Sequence, residues 1–197
     1  MKTQTSYALI LLQALVLVAL TAVPGDPPAG AEPAVSAADI AGQQTWGAAD
    51  NVVGVKHLYL SAQPDQATFE TALDHGVGVV INLRGPGEQD WDEAAAAAES
   101  GLTYYNLPVS RSGPGFDDDV LAEISRVVGK HRDTKILMHC STGNRAAAWF
   151  AYHLVRDHGM PAEPSIELAK QAGLTHAGME SRVRAYLAPG TADGNEQ

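Results

Sequence analysis

The sequence is short of cysteine. Cys140 is the only one among 197 residues. That excludes a disulfide framework within the chain and any cysteine-rich zinc or iron–sulfur site. Basic residues are scarce too. Thirteen Lys plus Arg stand against 23 Asp plus Glu, a formal charge of -10. With no Lys/Arg block, the chain is a poor partner for nucleic acid or an anionic membrane surface. The seven histidines (57, 75, 131, 139, 153, 158, 176) show neither H-x-H nor H-x-x-x-H spacing. No metal site and no cofactor is therefore indicated. Charged residues make up only 18% and hydrophobic residues 45%. Such a chain folds around a core and is not a solvated tail. Its length suits one domain and is short for two.

Long apolar runs are also missing, with one exception. Residues 8–23 are apolar apart from Gln13 and Thr21, follow Lys2, and lead into the Pro/Gly/Ala stretch 24–31. The run is shorter than the roughly 20 residues of a membrane-spanning helix. It reads as a secretory signal, with Ala29-Gly30-Ala31 as an A-x-A cleavage site and Leu20-Thr21-Ala22 as a looser alternative. No Cys stands directly after it, which excludes a bacterial lipoprotein anchor. The expectation is a signal peptide over 1–31 and an acidic domain exported to the periplasm or beyond. An uncleaved N-terminal membrane anchor is the alternative. Residues 32–50 read as linker, 51–188 as one domain and 189–197 as a disordered polar tail.

Within the domain, strand-like and helix-like segments alternate. Val52 to Leu60 predicts a first strand. Asp65 caps a helix that Gly76 stops. Residues 77–83 form an apolar run suited to a strand buried on both faces. Asp92 and Glu93 start an Ala-rich helix, and 102–107 predict another strand. Asp117 to Asp119 open a helix with Leu121, Ile124, Val127 and Val128 on one face. Residues 135–139 are a short buried strand, with helices expected over 145–158, 165–172 and 177–187. The pattern predicts an α/β fold of three layers, a mostly parallel central sheet flanked by helices.

One segment carries chemistry. The strand ending at His139 runs into Cys140-Ser141-Thr142-Gly143-Asn144-Arg145, and a helix follows with Ala146-Ala147-Ala148. Strand, tight loop and helix place Cys140 at the C-terminal edge of the sheet, where open α/β sheets bind ligands. Outward-facing amides and the positive helix end would cradle a phosphate or sulfate over residues 141–145. The same field favours thiolate over thiol. Arg145 brings a planar fork that can grip two oxygens of one phosphoryl group. Gly143 permits the turn. A buried, inert thiol is the plain alternative for Cys140, but its place between a buried strand and a Gly-containing turn ending in Arg favours a nucleophile. His139 divides evenly between tuning that thiol and simple hydrogen-bonded structure.

His139-Cys140-x-x-Gly143-x-Arg145 resembles the signature of the cysteine-dependent tyrosine and dual-specificity phosphatases. Further stretches resemble the bacterial phosphatase-like family named after a β-lactamase-hydrolase-like protein. They are Ser61-Ala62-Gln63-Pro64, then Asn82-Leu83-Arg84 with Glu88 after it, and Gly101 to Val109. The resemblance spans about residues 50–160. It implies a cysteine-phosphatase-like fold and hydrolysis of a phosphate monoester, on a protein or a small molecule. Cys140 would attack phosphorus to give a thiophosphoryl-enzyme, while Arg145 and the amides of Ser141, Thr142, Gly143, Asn144 and Arg145 bind the oxygens.

Three features depart from the phosphatase pattern. Four residues, not five, separate Cys140 from Arg145. Ala146 replaces the usual Ser or Thr. The stretch Pro108-Val109-Ser110-Arg111, where the family carries an Asp general acid, has none. Asp90, Asp92, Asp117, Asp118 and Asp119 are the other candidates, and the last three also suit a helix start. The four-residue spacing is shared with rhodanese sulfurtransferases, which makes a persulfide on Cys140 the second reading. Against it, rhodaneses typically follow an Asp-Val-Arg strand with a Gly-His-Ile-x-Gly-Ala turn, absent here. A non-catalytic oxyanion-binding domain is the third.

Overall fold

A computed structural model describes residues 35–113 and 115–188. The signal-peptide and tail expectations fall outside them. The centre is a six-stranded sheet in the order β1-β2-β3-β6-β4-β5. Its strands are β1 (Gln44–Trp46), β2 (Ala49–Val55), β3 (Leu58–Ser61), β4 (Val77–Asn82), β5 (Thr103–Asn106) and β6 (Lys135–His139). Pairs β3·β6, β6·β4 and β4·β5 are parallel, and β1·β2·β3 form an antiparallel edge.

Among the described residues there are six α-helices: α1 (Gln66–Asp74), α2 (Glu93–Glu99), α3 (Asp118–Lys130), α4 (Asn144–Arg156), α5 (Ala162–Gln171) and α6 (Ala177–Leu187), the last two packed on α4. The two-residue period of the central strand divides the core. Ile136 and Met138 of β6 pack with Ile124, Trp149 and Phe150 from α3 and α4. Leu137 faces the other way, onto Phe69 and Ala72 of α1 and Ala97 of α2. Alternation on a strand covered on both faces is what turns a continuous apolar run into two cores.

Two expectations change. The stretch read as linker is part of the sheet from residue 44 onward. Trp46 and Ala49 are buried, Trp46 stacks on His75 at 4.4 Å between ring centroids, and its carbonyl accepts from Thr68 at 2.7 Å. A three-residue strand is too short to show a period, which is why composition alone reads it as linker. The single strand expected over Val52 to Leu60 is a hairpin. β2 and β3 pair through Val55 and Leu58, and Lys56 turns the chain with φ +54°. Primed hairpin turns need positive φ, and Lys56-His57 carries none of the Gly or Asn that usually announces one.

Helix starts follow their caps. Asp65 accepts from the amide of Thr68 at 2.8 Å, Asp92 from Ala95 at 3.0 Å, and Asp117 from Asp119 and Val120 at 3.0 and 3.2 Å. Each supplies an acceptor to amides that have no intrahelical partner.

Candidate active site

β6 lies between β3 and β4, and its last residue, His139, is level with Ser61 and Asn82. The chain therefore leaves the middle of the sheet at Cys140. The amide of Cys140 donates to the carbonyl of Ser61 at 3.3 Å, and the residue is 1% exposed. The turn is completed at Gly143, whose φ is +81° and which is the N-cap of α4. Glycine brings no capping side chain. The amides of the first turn of α4 are thus left to the loop and to an anion placed against it.

Gly143 is also a close approach. A Cβ there would stand 3.0 Å from Asn51 Nδ2 and 3.4 Å from the carbonyl carbon of Ser61. Asn51, on β2, splints the loop: its Nδ2 donates to the carbonyl of Thr142 at 2.9 Å, and its Oδ1 accepts from the amide of Ala62 at 2.7 Å. Asn144 fastens the other side. Its Oδ1 accepts from the amides of Thr175 and His176 at 2.9 and 2.8 Å. The Asn144 side chain is committed to the α5–α6 connection, so what it can offer a phosphoryl group is main chain.

Arg145 is 4% exposed and folded into the site. Its Nη1 donates to the carbonyls of Leu83 and Val109 at 3.1 and 3.0 Å and to Glu88 Oε1 at 2.9 Å. Its Nη2 donates to Glu88 Oε2 at 2.7 Å and to Ser141 Oγ at 3.0 Å. The fork is therefore bidentate on Glu88, and it ties the turns after β4 and β5 to the cysteine loop. The hydrogen bond from Arg145 holds the Glu88 carboxyl at about 2, against the opposing effect of burial; the amide of Gly85 and the charges of Arg145 and Arg111 act the same way as the hydrogen bond. Burial opposes the charge on Arg145, but its bond to Glu88 and the proximity of Cys140 outweigh it, and its pKa is raised.

Behind the cysteine runs a buried polar chain. His139 Nε2 is 2.6 Å from Glu93 Oε1, with both residues buried. Glu93 Oε2 accepts from Gln63 Nε2 at 2.7 Å, and Gln63 Oε1 accepts from Arg84. The Ser-x-Gln-Pro and Asn-Leu-Arg stretches thus meet through Gln63 and Arg84. His139 Nδ1 is buried and has no hydrogen-bond partner. Sequence reasoning missed Glu93 and Asn51. Glu93 follows Asp92 at a helix start and reads as dipole compensation, and Asn51 lies on a strand with no motif around it.

The stretch 108–113 borders the site through the carbonyl of Val109. Arg182 of α6 holds it in place, donating to the carbonyls of Ser110 at 2.8 Å and Gly115 at 2.9 Å and lying 4.0 Å over the ring of Phe116. Arg111 reaches back toward Glu88 Oε2 at 3.8 Å. The acidic candidates are mostly engaged elsewhere. Asp90 pairs with Arg84 at 3.7 Å, Asp92 and Asp117 are caps, and Asp118 accepts from Tyr186. Asp119 is on the exposed first turn of α3. Among the described residues no three His, Cys, Asp or Glu side chains gather as a metal site.

No protein-family model and no curated protein matches the chain. Solved structures do. TpbA of P. aeruginosa, as a Cys-to-Ser variant in complex with pTyr, is 20% identical with a TM-score of 0.57, over 73% of this chain and 86% of that one. A DUF442 protein of Shewanella putrefaciens CN-32 is 20% identical with a TM-score of 0.54, over 76% and 86%. Kinase associated phosphatase, with its catalytic-site cysteine changed to serine, is 16% identical with a TM-score of 0.56, over 64% and 83%. The chain has the mixed α/β fold of the PTP-like cysteine phosphatases, a six-stranded sheet flanked by helices with the cysteine loop at its centre.

Proposed function

We propose that this protein is a cysteine-dependent phosphatase of the tyrosine/dual-specificity type, hydrolysing a phosphate monoester on a protein or small molecule. The observation that carries the reading is the meeting of three things at one point: the only thiol, a buried guanidinium, and a helix start with no side-chain cap. A thiolate on Cys140 attacks phosphorus while Arg145 and the loop amides take up the charge spread over the phosphoryl oxygens. Water then cleaves the thiophosphoryl intermediate. Motif likeness extends the assignment to the bacterial β-lactamase-hydrolase-like branch, and the apolar N-terminus supports export.

Hydrolysis of p-nitrophenyl phosphate by the reduced protein, beside Cys140→Ser, tests the proposal. Turnover that vanishes in the variant supports it, and no turnover in either removes it. The four-residue spacing from Cys140 to Arg145 favours one second reading, a rhodanese-type sulfurtransferase. Cys140-dependent transfer from thiosulfate to cyanide, without phosphatase turnover, would establish that instead. Residues 141–144 bring no positive side chain to the loop. Multiply phosphorylated substrates, which call for extra Lys or Arg, should therefore be turned over more weakly than an aryl phosphate at low ionic strength. Comparable rates on both would contradict this.

A further inference from the structure

Breaking the P–O bond of an ester leaves charge on the departing oxygen. An enzyme either protonates that oxygen or accepts a substrate whose leaving group is stable as an anion. Among the described residues, no carboxylic acid is placed beside the cysteine loop to donate that proton. The stretch 108–113, bonded to Arg145 through the carbonyl of Val109, contains no Asp or Glu. Glu88 is the carboxyl at the mouth, and Arg145 holds it ionised. Glu93 is shut beneath the loop with His139 and Gln63. Asp92 and Asp117 cap helices.

In place of an acid there is a cation. Arg111 sits on that bordering stretch with its side chain 70% exposed, and its Nε lies 3.8 Å from Glu88 Oε2. The same carboxylate oxygen accepts from Arg145 Nη2 at 2.7 Å. One acidic oxygen therefore places two guanidiniums side by side. The inner one donates to Ser141 Oγ of the cysteine loop, and the outer one, largely exposed, can turn toward whatever leaves. The bordering stretch is also held by Arg182 through the carbonyl of Ser110, next to Arg111.

Building on the phosphatase reading, we propose that the enzyme works without a general acid: Arg111 stabilises the leaving oxygen as an anion, and the substrates are aryl or acyl phosphates and not alkyl phosphates. In the first step the Sγ–P bond forms and the P–O bond breaks. The electron pair stays on the departing phenolate or carboxylate, which takes a proton only from solvent. In the second step water attacks phosphorus, its protons pass to solvent and phosphate, and the S–P electron pair returns to sulfur.

The test is kcat/KM for a series of ring-substituted phenyl phosphates, acetyl phosphate and ethyl phosphate. It is run on the reduced protein, Cys140→Ser, Arg111→Ala and Arg111→Lys. The expected result is a fall of about 100-fold or more from 4-nitrophenyl to phenyl phosphate, the scale on which general acids act. Acetyl phosphate is turned over and ethyl phosphate is not. Arg111→Ala loses about 10-fold on 4-nitrophenyl phosphate, on the low side of a lost oxyanion donor, and Arg111→Lys restores most of it. A shallower fall along the series, or turnover of ethyl phosphate, means that an acid is present and overturns the proposal. An Arg111→Ala protein equal to wild type overturns the role of Arg111. Absence of Cys140-dependent turnover on every substrate, acetyl phosphate included, instead removes the phosphatase reading itself.

Discussion

Gly143 shows how narrow the tolerance of the loop is. An alanine there would have to hold φ +81° and press on Asn51 and the main chain of Ser61. Left-handed backbone costs an L-residue about 1–2 kcal/mol, so Gly143→Ala should lower the denaturation midpoint and reduce turnover together. Glu88→Gln makes a different prediction. It removes the charge that fixes Arg145 but keeps the shape. The measured outcome should be a weakened phosphatase whose affinity for inorganic phosphate changes along with its rate; unchanged kinetics would deny Glu88 a part in placing the guanidinium. Cys140, Gly143 and Arg145 were legible because their residue types are unusual where they stand. Glu93 was not, since a carboxylate at a helix start has an ordinary explanation. Only the fold brings it within 2.6 Å of His139.

Among the elements, α4 couples site to scaffold. Its first turn forms the cysteine loop, and its middle, with Trp149 fully buried, fills the larger core. Trp149→Ala should cost about 3–5 kcal/mol, as aromatic truncations in cores do, and chemical denaturation would show it. Asn144→Ala should cost less stability but loosen the tie to residues 175 and 176. Reduced turnover with a near-native unfolding midpoint is expected. Strand and helix order was readable from alternation and caps across residues 65–188. The N-terminal edge was not, because β1 is three residues long and the β2–β3 turn uses Lys56 where glycine or asparagine is usual. In both cases tertiary pairing overrode a weak local signal.

For the molecule as a whole, acid stability depends on how its carboxylates are engaged. Glu88 has a depressed folded value, so its stabilising effect is complete above its ordinary 4.5 and is lost as pH falls toward about 2. Asp65 and Asp157 are lowered as well. Denaturant midpoints measured down that range should fall for the wild type and fall less for Glu88→Gln. Oxidation acts on the whole molecule too, for no second cysteine exists to resolve a sulfenic acid. Peroxide should inactivate irreversibly, with phosphate or vanadate protecting. Full recovery on adding a thiol reductant would contradict that.

A sole thiol that is almost inaccessible also makes the native chain its own probe. A thiol-selective alkylating reagent can attach at one place only, so no engineered label is needed. Its rate of attachment reads how often the loop at the sheet centre lets a small molecule in. Comparing that rate with and without a candidate anion would count openings of a single turn in a protein of native sequence, and a second cysteine anywhere on the surface would drown the signal.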